Sequence, residues 1–307
     1  MKKIITLLAT ALLAVLPLAA RTASDPELLA REETKEFQYN NFTGLDVSWI
    51  YQVELTQAPR HGVRVEAPDY LMPFLRIELR GNRLILGVGE LPRDVRRRIE
   101  GGIRNQVRAY VSMLDLTELT MSGASKLTVK GDFSSRKDFR LQLSGATEVR
   151  GLNVKGSDAN LDLSGASKLE MGGKFDKLTV RGSGSIHGIV VIDAKTVDLN
   201  LSGASKLSMK GKYGALTLRG SGAANTEIVG SIEDLDASCS AAAKLSAAQA
   251  PVRRAVISFS GASNGTIDVR DELSVNLSGA SALNYHGAPS LRIKSQTVSR
   301  ASTLSSY

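Results

Sequence analysis

The sequence is poor in the residue types that mark redox and metal sites. Its 307 residues include one cysteine, so no disulfide can form within the chain and packing alone must stabilise the fold. Three histidines, His61, His187 and His286, are scattered without neighbours at metal-ligand spacing. Aromatic residues make up only 5%, and no stretch interleaves them with basic residues. Despite the net charge of +8, we therefore expect no cofactor, no metal and no nucleic-acid partner.

Long apolar runs are also scarce, and the clearest one lies at the start of the chain. Lys2 and Lys3 precede an apolar stretch, Ile4 to Leu18, that is short for a transmembrane helix. This order predicts a signal peptide over residues 1–23, the alternative being an uncleaved membrane anchor. We expect an exported protein without a transmembrane segment after cleavage, in the periplasm or at the outer-membrane or cell surface.

What the sequence has in abundance is one repeated motif. The hexapeptide Ser-Gly-Ala-Ser-Lys-Leu occurs unchanged at three places, and degraded copies continue the series at intervals of about 20 residues. A fixed period of this size is typical of solenoids and other repeat folds. The intact copies begin at Ser122, Ser164 and Ser202, and the degraded ones at Ser144, Ser183, Ser221, Ser240, Ser260, Ser278 and Ser299.

Each repeat predicts two short strands joined by a corner. Before Ser202, Leu199 and Leu201 flank the polar Asn200, and most other copies show the same alternation. Period-two alternation indicates a strand with one buried face, and a second alternation begins after the motif. The small residues of Ser-Gly-Ala-Ser interrupt both patterns, and their glycine is free to adopt a positive φ.

A unit of about 20 residues cannot bury its own core, so successive units must stack. The sequence predicts an all-β fold, a right-handed parallel β-helix (β-solenoid) of about 20-residue coils over residues 117–307, because crossovers between parallel strands favour that hand. A propeller with repeats of about 40 residues is the alternative. Alternate copies carry a lysine, which suits a propeller but also keeps like charges out of adjacent coils; these are Lys126, Lys168, Lys206 and Lys244.

Residues 34–116 are β-rich but lack the repeat, and we interpret them as an N-terminal β cap over the exposed end of the solenoid. Trp49 and Tyr51 are predicted to pack there. The candidate strands, separated by turn residues, are Leu45–Leu55, Val63–Ala67, Phe74–Leu79, Arg83–Val88 and Gln106–Met113.

Five segments of the chain follow one another in a characteristic order: Phe42–Val47, Val53–Gln57, Val63–Ala67, Asn82–Leu86 and Leu119–Ser125. In that order the chain resembles the head GIN domain family, exported bacterial proteins described as autotransporter adhesins. The resemblance covers essentially all of the chain after the signal. It implies an all-β, helix-like fold in the envelope of Gram-negative bacteria, and it brings no catalytic residues.

A segment rich in arginine, from Pro92 to Arg108, breaks the β-rich background. It is a candidate binding element, a loop or short helix whose guanidinium groups dock sulfate, phosphate or carboxylate groups of a glycan or lipid headgroup. The alternative is a solvated loop between cap strands. The arginines concerned are Arg93, Arg96, Arg97, Arg98, Arg104 and Arg108. The four lysines of the repeat form a secondary candidate face.

Motifs that suggest catalysis have structural explanations here. Gly261-Ala262-Ser263-Asn264-Gly265 matches a nucleophile elbow, but it is a repeat corner followed by another strand. The acidic pairs Glu233-Asp234 and Asp271-Glu272 fall in predicted turns. Cys239 occupies an inward apolar column and is predicted to be buried.

Two functions follow from these observations. The first is an exported, non-catalytic envelope protein, an adhesin or scaffold that binds an acidic glycan, another envelope polymer or a protein. The alternative is a glycan-active lyase or hydrolase built on a β-helix. Paired carboxylates beside a cleft would favour the enzyme, whereas an exposed face of Ser, Thr, Lys and Asn would favour binding.

Overall fold

The computed structural model describes residues 31–100, 107–135, 138–299 and 301–306. The predicted signal peptide and Arg104 lie outside these ranges. Within them the protein is built almost wholly from β-strands that belong to one continuous hydrogen-bonded sheet. Within the described ranges, no helix combines the length and the hydrophobicity of a membrane span.

The described part of the N-terminal region contains seven strands, one short 3-10 turn at Met72–Phe74 and one α-helix. In chain order they are β1 Glu32–Phe37, β2 Gly44–Val47, β3 Tyr51–Gln57, β4 Gly62–Pro68, β5 Leu75–Arg80, β6 Arg83–Val88, α1 Arg93–Glu100 and β7 Val107–Met113.

The remainder of the described chain is a succession of parallel strands. They are β8 Glu118–Met121, β9 Lys126–Lys130, β10 Asp132–Ser134, β11 Phe139–Leu143, β12 Glu148–Lys155, β13 Asp158–Leu163, β14 Lys168–Gly182, β15 His187–Leu201, β16 Lys206–Gly220, β17 Asn225–Cys239, β18 Lys244–Phe259, β19 Asn264–Leu277, β20 Ala282–Gly287, β21 Arg292–Val298 and β22 Thr303–Ser306.

Each sequence repeat forms one coil. The long strands β14 to β19 pair with their successors in parallel, so that Leu199 lies beside Val180 on one side and Leu218 on the other. The result is a β-solenoid of about 10 turns with coils of about 19 residues. The predicted solenoid is thus confirmed, and the propeller alternative is wrong because consecutive repeats stack directly. The right-handed sense of the coil stays a prediction.

The alternating pattern of each repeat defines the interior. Leu199 and Leu201 are 0% and 1% exposed, whereas Asn200 between them is exposed. Cys239, in the same column as Leu201, is 3% exposed, as predicted. The apolar columns of successive coils therefore stack into one core that runs along the solenoid.

The Ser-Gly-Ala-Ser corners have two structural requirements. At the second position the backbone is left-handed, with φ of 70° at Gly203, and a Cβ there would lie 2.7 Å from the carbonyl oxygen of Gly184. At the fourth position the side chain points inward, and the buried Ser205 satisfies its hydroxyl by donating to the carbonyl of Ser202 at 2.6 Å. These requirements explain why both small residues recur.

The N-terminal region contributes a coil of its own to the ladder. β2 pairs in parallel with β8, and β3 with β9, so residues 48–50 form the corner of this coil. The predicted single strand Leu45–Leu55 is therefore wrong, because that corner divides it. Tyr51 is fully buried and donates its hydroxyl to the carbonyl of Gly87 at 3.0 Å, while Trp49 packs partly buried against the core, so the packing roles predicted for both are confirmed.

One further layer closes this end of the ladder. β6 and β7 pair in parallel with β2 and β3, so the chain between them, which includes α1, takes the place of a corner. Outside this layer the direction reverses. β5 pairs antiparallel with β6, β4 with β7, and β1 with β4. The parallel ladder thus ends against antiparallel strands.

Candidate functional site

A row of polar side chains follows one outer face of the solenoid, two residues before nine successive corner serines. Parallel pairing places each member beside its counterpart in the next coil, about 4.8 Å away. The nine side chains, which we call the polar ladder, span on the order of 40 Å. They are Thr120, Gln142, Asp162, Arg181, Asn200, Arg219, Ser238, Ser258 and Asn276.

The polar ladder lines a shallow groove that runs along the axis beside the corners. Its two halves have volumes of about 490 and 380 Å³, and they meet at Asn200, which lines both. The corner serines form the other wall. Because each of these nine coils contributes the same two positions, the groove continues along them rather than forming one closed pocket.

Hydrogen bonds between coils hold the serine wall in place. The amide of Ser202 donates to the carbonyl of Gly182 at 2.9 Å, and its hydroxyl donates to the same oxygen at 3.3 Å. Ser164 bonds the carbonyl of Leu143 in the same way, at 2.8 Å and 3.2 Å. A rigid backbone therefore supports the groove, and hydroxyl lone pairs remain as acceptors.

The groove offers mixed hydrogen-bonding chemistry with few charges. Asp162 is the only carboxylate among the described residues that line it, and its oxygen lies 3.8 Å from the guanidinium of Arg181. Arg219 pairs with Asp198 at 3.2 Å, outside the ladder. Both guanidinium groups remain more than half exposed. Amides, hydroxyls and two exposed guanidinium groups thus face solvent in a row.

The predicted arginine segment divides between a helix and a strand. Arg93, Arg96, Arg97 and Arg98 all lie on α1 and are exposed. Arg98 rests over the ring of Tyr70, with its guanidinium carbon 5.3 Å from the ring centroid. These four arginines therefore belong to a short helix anchored to the N-terminal region.

Arg108 does not join the helical arginines. It lies on β7, where it pairs with Glu32 at 3.4 Å and reaches Glu66 at 3.9 Å. Arg104 lies outside the described residues. The structure thus brings together four of the six predicted arginines.

The four lysines of the repeat lie on the opposite side of the corners from the groove. Lys168 and Lys206 are both exposed, and His187 lies between them in the ladder. Lys126 approaches Glu148 of the next coil at 4.0 Å. The expected alternation is confirmed, because each lysine has a side chain of another type as its neighbour.

The acidic pairs lie within strands β17 and β19, so the prediction that they fall in turns is wrong, and their carboxylates are tied to arginines. Arg254 binds Asp234 through two nitrogens, at 2.5 and 2.8 Å, and this hydrogen bonding holds the pKa of that carboxyl below its usual range. Arg253 contacts Glu233 at 3.5 Å and Asp271 at 2.8 Å. These carboxylates form an alternating charge ladder with cations.

The elbow-like motif is a corner in the structure too. Ser263 is fully buried, and its hydroxyl donates to the carbonyl of Ser260 at 2.7 Å, so it is not presented to a substrate. The thiol of Cys239 is also enclosed, and burial raises its pKa to about 11. Within the described ranges no group of three or more His, Cys, Asp or Glu side chains could hold a metal ion.

Sequence reasoning did not single out the polar ladder as a site. In the sequence, each member is the polar residue between two apolar positions, and this alternation by itself indicates only a strand with one exposed face. Their alignment in space depends on the stacking of one coil per repeat. A row of Asn, Gln, Asp and Arg at one repeat position was the available signal.

Comparison with solved structures gives distant matches. A putative adhesin from Parabacteroides distasonis is 13% identical, with a TM-score of 0.49, covering 90% of this chain and 97% of its own. One from Parabacteroides merdae is 13% identical, with a TM-score of 0.44 and coverages of 91% and 97%. A third protein, from Parabacteroides distasonis and named a putative lipid binding protein, is 15% identical, with a TM-score of 0.43 and coverages of 91% and 98%.

Among curated proteins, none matches the chain. A family match, in contrast, covers most of it. Two overlapping stretches, residues 41–188 and 175–289, match the family described as "Putative auto-transporter adhesin, head GIN domain". They include the first coil, α1 and the polar ladder. The predicted resemblance is confirmed, and the chain belongs to this head GIN domain family.

Proposed function

We propose that the protein is an exported, non-catalytic binding module of the bacterial envelope, which holds an extended polymer along its polar groove. The observation that carries this proposal is the continuity of the groove over nine coils. A row of equivalent positions suits a ligand that itself repeats, because each coil can make one weak contact and the contacts add along the chain.

The chemistry of the groove favours a glycan as that polymer. Sugar hydroxyls both donate and accept hydrogen bonds, and the amides of Gln142, Asn200 and Asn276 do the same. Arg181 and Arg219 add donors that suit carboxylate or sulfate substituents. The groove therefore fits a neutral or sparsely acidic glycan of the envelope better than a densely charged one.

The arrangement of carboxylates supports binding rather than hydrolysis. Glycosidases generally need two carboxyl groups on either side of the scissile bond, and the groove residues described here include Asp162 alone. The acidic pairs elsewhere are neutralised by ion pairs, Glu233, Asp234 and Asp271 by Arg253 and Arg254, and Glu272 by Arg292. The adhesin name of the family agrees with a binding role.

Matched substitutions on the two sides of the corners test the proposal. The groove variant Arg181→Ala/Asn200→Ala/Arg219→Ala removes two cations and one amide from three consecutive coils. The control Lys206→Ala/Asn225→Ala/Lys244→Ala also removes two cations and one amide from three consecutive coils, on the other side of the corners.

Both variants are compared with the wild-type protein on an array of neutral and uronic acid-containing oligosaccharides. We expect the groove variant to lose at least tenfold in affinity for the retained glycans, and the control to bind like the wild type. Equal losses in both variants, or a wild-type protein that retains no glycan, would reject the groove as a glycan site.

A further inference from the structure

We propose that helix α1 docks the capped end of the solenoid onto an anionic lipid surface through the guanidinium groups of Arg93, Arg96 and Arg97. This site is separate from the groove, and the proposal does not depend on the proposed function. Its basis is the placement of α1, the direction of its arginines and the absence of described partners for them.

α1 occupies a special position in the fold. In the other coils a small corner joins the two faces, but between β6 and β7 the chain inserts a segment that includes this helix. The helix therefore lies at the end of the line of corners, on the layer that closes the parallel ladder. An inserted element at an end of a solenoid is free to contact a surface that the regular faces cannot reach.

The two faces of α1 have opposite character. Val95 is 6% exposed and Ile99 is partly buried against the core, so this side anchors the helix. At 3.6 residues per turn, Arg97 lies directly opposite these two residues. Arg93 is one turn before Arg97 on the same side, and Arg96 lies beside them. Three guanidinium groups thus project from the outer side of one short helix.

These arginines differ from most others in the protein. Arg83, Arg254 and Arg292, for example, pair with carboxylates at distances below 3 Å. Among the side chains that the structure describes, no carboxylate lies within ion-pair distance of Arg93, Arg96 or Arg97. Even with Asp94 and Glu100 counted, the helix is net positive. Like charges one turn apart repel, and an external anion would relieve that repulsion.

The shape of this surface favours a membrane over a single polymer chain. The arginines spread over the convex outer side of a helix, whereas the groove that suits an extended chain lies elsewhere. A convex positive patch can meet many phosphate groups of a lipid surface at once. Basic residues near an anionic membrane each strengthen binding by about fivefold, so three should contribute on the order of 100-fold.

Vesicle co-sedimentation tests the proposal with the full exported chain. Vesicles of phosphatidylglycerol and phosphatidylcholine in equal parts are compared with vesicles of phosphatidylcholine alone. We expect binding to the anionic vesicles only, which weakens as salt rises from about 0.1 M to about 1 M and the Debye length falls from about 10 Å to about 3 Å.

Three variants separate α1 from general charge. Arg93→Gln/Arg96→Gln/Arg97→Gln should lose on the order of 100-fold in vesicle affinity. Lys168→Gln/Lys206→Gln/Lys244→Gln, which removes the same net charge from the coils, should bind like the wild type. Arg93→Lys/Arg96→Lys/Arg97→Lys should retain most of the binding, because a lipid surface needs charge rather than paired hydrogen bonds.

The opposite pattern overturns the proposal. Wild-type protein that ignores anionic vesicles, an arginine variant that binds normally, or a lysine variant that loses as much would each reject it. Loss of binding in the Arg-to-Lys variant, together with α1-dependent binding of soluble polygalacturonate, would assign the helix to an acidic glycan instead. The groove variant should bind vesicles normally, so failure here is distinct from failure of the proposed function.

Discussion

The regular coils and the first coil of the N-terminal region belong to one parallel ladder, but they turn through different corners. The regular coils bury columns that are mostly Leu, Val and Ala, with aromatic side chains such as Phe139 and Phe259, and turn through Ser-Gly-Ala corners. The first coil buries Phe42 and Tyr51 and turns through Ser48 and Trp49. Trp49 has the left-handed φ of 72° that glycine supplies in most later corners.

The difference shows what the glycine is for. A Cβ at Gly123 would lie 2.5 Å from the carbonyl oxygen of Trp49, in the corner of the preceding coil. The layer before Trp49 has no equivalent corner, because the segment with α1 replaces it. A large side chain is therefore compatible with the first corner, whereas stacking on another corner demands a small residue.

The largest expected effect comes from placing a charge in the core that both regions share. Leu201→Asp introduces a carboxylate at a site that is 1% exposed, with no cation in the column to pair with it. We expect a loss of about 3 to 5 kcal/mol in the free energy of unfolding, measured by urea denaturation. Unchanged stability would contradict the stacked core.

A second prediction uses the thiol in the same column. Burial raises the pKa of Cys239 from 9.0 to about 11. As the pH rises, the thiol therefore loses its proton in the unfolded chain at a lower pH than in the native protein. Its contribution to stability is complete below about pH 9 and is lost as the pH rises towards 11. Between about pH 8 and 10.5 the wild type should lose about 2 kcal/mol more than Cys239→Ala.

Urea denaturation of the wild type and of Cys239→Ala at the two pH values gives this difference. All other titratable groups are common to the two proteins, so their effects on stability cancel in the comparison. Native Cys239 should also react slowly with a thiol reagent and quickly after denaturation. Rapid labelling of the native protein, or parallel pH profiles of the two proteins, would show that the thiol is not enclosed.

The third prediction concerns the corners. Gly203→Ala places a Cβ 2.7 Å from a carbonyl oxygen on a residue with φ of 70°, and should cost about 1 to 2 kcal/mol. Ala241→Gly, at the equivalent corner with φ of 59°, should be neutral or stabilising by up to about 1 kcal/mol. Thermal unfolding of both variants measures the two changes in stability. If both variants were destabilised, the requirement for a small residue at stacked corners would be refuted.

The smallest effect is expected on the outer face. Lys206→Ala removes an exposed side chain that makes no described ion pair, and should change stability by less than about 0.5 kcal/mol. A thermal shift comparable to that of Gly203→Ala would mean that the lysine column supports the coil.

The sequence repeat predicted the coils because each position of the repeat has the same environment, buried or exposed, in nearly every coil. Leu201 and Asn200 alternate in the sequence for the same reason that they alternate in the structure. The first coil was not recognised because Trp49 and Tyr51 stand where later corners have glycine and serine. Only pairing with β8 and β9 reveals that residues 44–57 form a coil.

The sites were less predictable than the fold. The arginines of α1 were visible in the sequence as a cluster. Arg108 is separate from them because it lies on β7, which pairs with β4 and brings Arg108 close to Glu32 of β1. Predicting the groove from the sequence would have required knowing the positions of both of its walls. One wall comes from the polar ladder and the other from corner serines, and their relation is set by how each coil turns.

The length dependence of glycan binding tests the central claim most directly. A size series of oligomers, cut from the glycan that the protein retains most strongly, would be titrated calorimetrically. Affinity should rise with each added sugar until the oligomer fills the polar ladder, on the order of 40 Å, and then level off. In Arg181→Ala/Asn200→Ala/Arg219→Ala, which interrupts the ladder at its centre, long oligomers should bind little better than short ones. Affinity that is independent of length, or equal length dependence in this variant, would contradict a continuous groove.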